Sequence, residues 1–311
     1  MREYPVKRAY LGVSMLRGAT LALFILLGTT TSALADPRSE CESYNTPLDR
    51  RIVACSEVIR RDPRAAWAYV NRGTAYGRKG DPDRAIADYN TAIELDPKDA
   101  DGYYNRGNAY RDKGDLDRAI ADFNKAIEIN PKYTYAYNNR GNAYGRKGDP
   151  DRAIADYSKA IEINPTDAGA FYSRGNAWFN KGDFSEASAD FLHVIELNDV
   201  SYAMMFRYLA RSRGGEAAGP ELDTNAGRLK TKEWPYAVIE LYLDRRAPKA
   251  TLHAAGNPAQ QCEAQFFIGQ WHVLKGNAAE AETALKAAVE TCPKSLIVYA
   301  GAVAELKRLK R

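Results

Sequence analysis

Four arginines, Arg72, Arg106, Arg140 and Arg174, recur every 34 residues, and 16 residues after each stands an aspartate: Asp88, Asp122, Asp156 and Asp190. Charges that repeat in step can face each other inside the fold, where a partly buried charge is tolerated only when matched. Alternatively, the arginines can be left to grip an acidic ligand. Between Cys262 and Ser295 the equivalent positions are Ile268 and Ala284, so both charges are replaced together. That joint change favours ion pairs as structure. A second recurring set follows two residues behind the arginines: Thr74, Asn108, Asn142 and Asn176. Tyr104, Tyr135, Asn138 and Tyr172 lie at nearby helical offsets, as do Arg78, Arg111 and Arg146. Amides can hydrogen-bond an extended peptide backbone, tyrosines give rigid contact area, and arginines can meet a carboxylate. The competing reading of this set is a solvated polar face.

The remaining reactive side chains point away from catalysis. Cys41, Cys55, Cys262 and Cys292 permit three pairings. Cys262 opens a first helix and Cys292 closes its antiparallel partner, so both stand at one end of a helical hairpin, and Cys41 then pairs with Cys55 by elimination. Closing such a loop contributes roughly 3 to 4 kcal/mol in the chain-entropy account. No cysteines are spaced as a zinc site requires, no Cys-x-x-Cys is present, and the histidines are His193, His253 and His272. Neither metal nor cofactor is expected. There is no nucleophile elbow, no His-Glu-x-x-His and no phosphate-binding glycine loop. The chain reads as non-enzymatic.

The elements that position these residues follow from the period. With units beginning at Ala66, Ala100, Thr134 and Ala168, aromatic residues occupy position 4 (Tyr69, Tyr103, Tyr137, Phe171), position 11 (Tyr76, Tyr110, Tyr144, Trp178) and position 24 (Tyr89, Phe123, Tyr157, Phe191). Position 8 is always Gly and position 20 always Ala, where two antiparallel helices can approach closely. Lys-Gly-Asp at residues 79–81, 113–115, 147–149 and 181–183 divides each unit: Gly takes the left-handed turn and Asp caps the second helix. This pattern resembles the tetratricopeptide family over four repeats, departing from it at the last proline position, where Asp199 stands. The resemblance implies an all-α solenoid of antiparallel helix pairs in a right-handed superhelix. It places positions 2, 5, 9, 12 and 13, and hence the Asn, Tyr and Arg set above, on a concave groove that binds peptide segments of other proteins.

Around the four repeats (66–199), a half-repeat at 36–65 supplies a lone second helix as N-terminal cap. Between 200 and 261 the period is lost, although Tyr202 to Arg211 and Trp234 to Leu243 keep helical patterning; these helices are expected to fill the interior of the curl or build a dimer contact. A divergent repeat at 262–295 and an amphipathic capping helix ending in Lys307, Arg308, Lys310 and Arg311 complete residues 262–311. Residues 1–35 read as a signal peptide: basic Arg2, Lys7, Arg8 and Arg17, an apolar run from Ala19 to Leu27, and Ala33-Leu34-Ala35 for cleavage. Both Met1 and Met15 serve as a start, and an uncleaved anchor is the competing reading of the apolar run, although that run is shorter than the roughly 20 residues of a spanning helix. Without residues 1–35 the charges are 40 basic against 39 acidic, which is no nucleic-acid footprint.

Tyr202-Ala-Met-Met-Phe-Arg-Tyr-Leu-Ala, Glu233-Trp234-Pro-Tyr-Ala-Val-Ile-Glu-Leu-Tyr-Leu, Ala264-Gln-Phe-Phe-Ile-Gly-Gln and Tyr299 with Ala304-Glu305-Leu306 resemble the corresponding half of the new lipoprotein I family of bacterial envelope proteins. This second resemblance implies a periplasmic or secreted adaptor, with a homodimer among its forms, that brings cell-wall hydrolases to a processing protease. The lipid-accepting Cys of that family's founding member is missing, so no stable membrane span or lipid anchor is expected in the mature form. A structural subunit of an envelope or secretion assembly uses the same scaffold, and a small molecule or glycan in the aromatic groove is a third reading. Titration of the oxidised, denatured chain with a thiol reagent should find no reactive cysteine; four would overturn both pairings.

Overall fold

The computed structural model describes residues 36–198 and 200–310; the signal-like residues 1–35, Asp199 and Arg311 lie outside the described residues. From Pro37 onward the chain forms one compact unit, and every regular element described is a helix. The half-repeat contains α1 (Pro37–Glu42) and α2 (Leu48–Arg61). The four repeats contribute the pairs α3 (Ala66–Arg78) and α4 (Pro82–Leu95), α5 (Ala100–Asp112) and α6 (Leu116–Ile129), α7 (Thr134–Arg146) and α8 (Pro150–Ile163), and α9 (Ala168–Lys181) and α10 (Phe184–Leu197). The aperiodic segment folds into α11 (Ser201–Arg213), α12 (Gly219–Ala226), α13 (Tyr236–Tyr242) and α14 (Pro248–His253). The last repeat is α15 (Pro258–Leu274) with α16 (Ala278–Thr291), followed by α17 (Ile297–Leu309).

Local chemistry sets the hairpins. Gly114 turns at φ 83°, a conformation that costs other residues a steric clash. The side chains of Asp81, Asp115 and Asp149 accept from the backbone N–H of Arg84, Arg118 and Arg152, capping α4, α6 and α8, whereas Asp183, expected to cap α10 in the same way, makes no such bond. The close approach at position 8 is made by the ring at position 24: a Cβ on Gly141 would stand 2.8 Å from Tyr157 Cε1. Position 20 alanine is therefore only part of the reason that the helices pack tightly.

The arginines of position 7 tie repeats to one another. Arg106 Nε and Nη2 donate to both oxygens of Asp122 at 2.8 and 2.7 Å, and its Nη1 donates to Asn90 Oδ1 at 2.7 Å. Arg140 repeats this with Asp156 and Asn124, while Arg72 and Arg174 pair with Asp88 and Asp190 and reach Ser56 and Ser158. Each guanidinium therefore joins its own second helix to the second helix of the preceding repeat. It also lies over the position 4 ring, 5.4 Å from Tyr137 in the case of Arg140. The hydrogen bonds of the carboxylates hold Arg72, Arg106 and Arg140 above the ordinary guanidinium pKa, against the opposing effect of burial.

At the N-terminal end the half-repeat has more than a lone helix. α1 packs on α2 and α3, and the Cys41–Cys55 disulfide fastens it. Arg51, fully buried at a position 20 where other units have Ala, donates to Cys41 O and Asn71 Oδ1 and lies over the Tyr44 ring. With no full first helix to pack on, the long side chain fills that space. At the other end the core is largest. Phe206 of α11 is buried among Phe179, Phe191, Phe266 and Phe267, with ring centroids 5.5 to 6.0 Å away. α17 packs on α9, α15 and α16. Arg308 donates to Phe179 O at 2.7 Å and Asn180 O at 2.8 Å, satisfying carbonyls at the end of α9. Glu305, 1% exposed, accepts from Arg213, Arg308 and Gln270. Cys262 joins Cys292. No helix among the described residues is long and apolar enough to cross a membrane.

Arg106→Ala strands Asp122 between two helices and should lower the free energy of unfolding by about 3 kcal/mol in a denaturant titration. Replacing the pair together, Arg106→Met with Asp122→Leu, should cost no more than about 1 kcal/mol, as expected where a matched apolar pair replaces charge. Equal losses in both variants would contradict the pairing as the source of the cost.

Candidate functional site

Consecutive first helices touch one another, α3 with α5, α5 with α7 and α7 with α9, whereas no comparable contact joins consecutive second helices among the described residues. A row that is closed along one edge and splayed along the other bends toward the closed edge. The first helices thus line the inner face, and their outward-pointing side chains are the candidate interface.

On that face Asn139 of α7 is the hub. Its Nδ2 donates to Tyr104 Oη and to Asn108 Oδ1, both at 2.9 Å, and its Oδ1 accepts from Asn142 at 3.5 Å. Tyr104, Asn108 and Asn142, three of the sequence-derived residues, are therefore brought together across α5 and α7. Asn139 itself was not among them. The 34-residue ladder of position 9 does not include it; Asn139 belongs to a second ladder at position 6, where Asn71, Asn105 and Asn139 recur.

The position 9 residues answer to the ring at position 24. Tyr157 Oη donates to Asn142 Oδ1 at 2.8 Å, and Tyr89 Oη to Thr74 Oγ1 at 3.3 Å. Where position 24 is Phe, that donor is missing: Asn108 turns to Asn139, and Asn176 donates to Tyr172 O at 2.8 Å. Asn176 is only 4% exposed and so offers nothing to a partner. Thr74 also donates to Val70 O. The four residues are thus not an equivalent ladder, since two are engaged by tyrosine hydroxyls and one is buried.

The remaining groove residues differ in availability. Tyr135 is 66% exposed and borders an open concavity of about 430 Å³ with Thr134, Asn164, Thr166 and Asp167. Asn138 donates to Asp167 at 2.9 Å, joining α7 to the start of α9. Arg146 donates to Arg111 O at 3.0 Å, Arg111 pairs with Asp112 at 2.9 Å, and Arg78 is exposed. Tyr172 lies edge-on to Phe191 and Phe206 and borders a second concavity of about 340 Å³, whose wall includes Tyr202, Glu263 and Ile297. Burial, reinforced by the charge of Glu263, raises the hydroxyl pKa of Tyr172 and Tyr202, keeping both as neutral donors. Glu263 holds position 2 of the last repeat, so extending the groove positions beyond the four regular units would have found it. No group of His, Cys, Asp and Glu that could hold a metal ion is present among the described residues.

Comparison with known proteins matches residues 78–111 and 107–148 to the family described as TPR repeat, and residues 134–167 to the family described as tetratricopeptide repeat. The crystal structure of MamA is 32% identical over 48% of this chain and 88% of that chain, with a TM-score of 0.46. The chain belongs to the tetratricopeptide-repeat family. YrrB, described as a TPR protein with an unusual peptide-binding site, is 24% identical over 62% of this chain and 98% of that chain, with a TM-score of 0.52. A tetratricopeptide repeat protein from Parabacteroides merdae is 18% identical over 85% and 93%, with a TM-score of 0.53. The latter two likenesses extend to the fold. No curated protein matches the chain. Tetratricopeptide repeats mediate contacts between proteins.

Proposed function

We propose that this tetratricopeptide-repeat protein is a non-enzymatic adaptor of the bacterial periplasm that holds peptide segments of partner proteins against the inner face of its first helices. The observation that carries this reading is the division of labour among polar groups. The Arg and Asp pairs are consumed between helices, whereas the Tyr104, Asn108, Asn139 and Asn142 network sits on the face where first helices touch. A peptide laid there can meet amide groups and a phenol whose positions are already fixed by hydrogen bonds, which reduces the ordering cost of binding. YrrB is described as carrying a peptide-binding site, which is in keeping with this use of the fold.

The periplasmic part of the proposal rests on the signal-like residues 1–35 and on the two disulfides, which suit an oxidising compartment. The new lipoprotein I resemblance across residues 200–309 suggests the partners: cell-wall hydrolases brought to a processing protease, with a homodimer as the working form.

The combined variant Tyr104→Ala, Asn108→Ala, Asn142→Ala should abolish partner capture in co-purification from envelope extracts while leaving the melting temperature within a few degrees of the parent. Unchanged capture would remove the groove from the account. Partners that co-purify at constant stoichiometry in both chains would instead indicate a structural subunit of an envelope assembly.

A further inference from the structure

The fully buried carboxylates among the described residues each have a cation. Asp88, Asp122, Asp156 and Asp190 each hold an arginine, and Glu305 holds two. Glu263 has none among the described residues. It is half-buried on α15, where α9, α11 and α17 meet, and its Oε2 accepts from Tyr202 Oη at 2.6 Å and Trp234 Nε1 at 2.9 Å. Both donors are neutral and both use Oε2, so the negative charge of Glu263 meets no cation among the described residues. Glu263 borders the concavity of about 340 Å³ together with Tyr172, Phe206 and the apolar Ile297. The Cys262–Cys292 disulfide stands directly beside it, pinning the loop that leads to Ile297 against α15.

We propose that this concavity receives the ammonium group of a lysine side chain carried by a partner polypeptide. An uncompensated, partly desolvated carboxylate attracts a cation strongly, and aromatic walls add attraction to the same charge. The choice of ammonium over guanidinium follows from the occupied oxygen. A guanidinium binds a carboxylate best as a fork on both oxygens, and two donors already use Oε2, whereas an ammonium acts as a point charge and needs Oε1 alone. Ile297 and its neighbours Leu296 and Val298 can cover the methylene stem. That the ammonium arrives on a polypeptide rests on the proposed peptide groove: Tyr172 is position 5 of α9, in line with Tyr104 and Asn138, so a chain lying along that face ends at Glu263.

Trp234 reports on the site. With indole-15N-labelled full-length protein, the Trp234 N–H resonance should shift saturably on titration with acetyl-Gly-Ser-Lys-Ser-Gly-amide, while Trp67 in α3 stays still. The norleucine and arginine versions of the peptide, and n-butylammonium, should each bind at least fivefold more weakly, and Glu263→Gln should weaken the lysine peptide at least tenfold. No shift, an equal response to norleucine or to arginine, or a response untouched by Glu263→Gln overturns the proposal. Butylammonium binding as tightly as the peptide overturns the polypeptide source. If Glu263→Gln fails to fold, the four ligands on the parent chain decide the matter alone. Because the Tyr104, Asn108, Asn142 variant retains Glu263, unchanged partner capture by that variant alongside a normal Trp234 response would sink the groove reading and leave this site standing.

Discussion

A guanidinium set between two packed helices stays there only if a carboxylate meets it, and in this fold one such contact is repeated four times. Each position 7 arginine uses a fork of two hydrogen bonds on its own aspartate and a third on the preceding repeat. Apolar packing alone would allow repeats to slide or rotate. A planar group with bonds in three directions does not. The relative placement of successive first helices, and therefore of Tyr104, Asn139 and Asn142 across α5 and α7, depends on this joint. The exposed contacts are secondary to it. Lys181 and Asp151 at 3.1 Å, for example, follow the same period but are solvated enough to contribute little.

The C-terminal half solves the same packing problem without that pair. Ile268 and Ala284 replace the charges, and order comes from the aromatic cluster around Phe206 and from Glu305, where α11, α15 and α17 converge on one carboxylate. Arg308 then fixes the last helix to α9. The outcome is a junction with walls on several sides, unlike the open face of the regular repeats, and this is where a partly enclosed concavity with a lone carboxylate can exist. Two modes of contact are thereby available to one partner: a broad polar face over α5 and α7, and a deep charged anchor beyond α9.

What was legible in the sequence followed from strict periodicity. The helix pairs, the glycine turns, the aspartate caps and the facing of Arg106 to Asp122 are all written in residues that recur every 34 positions. α1 is not, because its six residues repeat nothing and its place is decided by Cys41 and by the reach of Arg51. α12 and α14 are short helices held by tertiary packing, which local propensity does not announce. The groove was legible only in outline. Position 9 was identified, but what each residue there does depends on a hydroxyl fifteen residues away that distinguishes Tyr89 and Tyr157 from Phe123 and Phe191. Asn176 shows the further limit: it is buried although Thr74, Asn108 and Asn142 at the same position are part-exposed. Glu263 falls outside the 34-residue ladder because the interruption at 200–261 breaks the period, although within its own repeat it holds position 2, as Tyr135 does.

The account stands on the claim that partners are held on the face of the first helices. Site-specific photo-crosslinking in intact cells addresses it directly, with the photoreactive residue placed at Tyr135 on that face or at Lys125 on the second helix α6. The account predicts that Tyr135 crosslinks to partner polypeptides and Lys125 does not. Crosslinks from Lys125 with none from Tyr135 would contradict it.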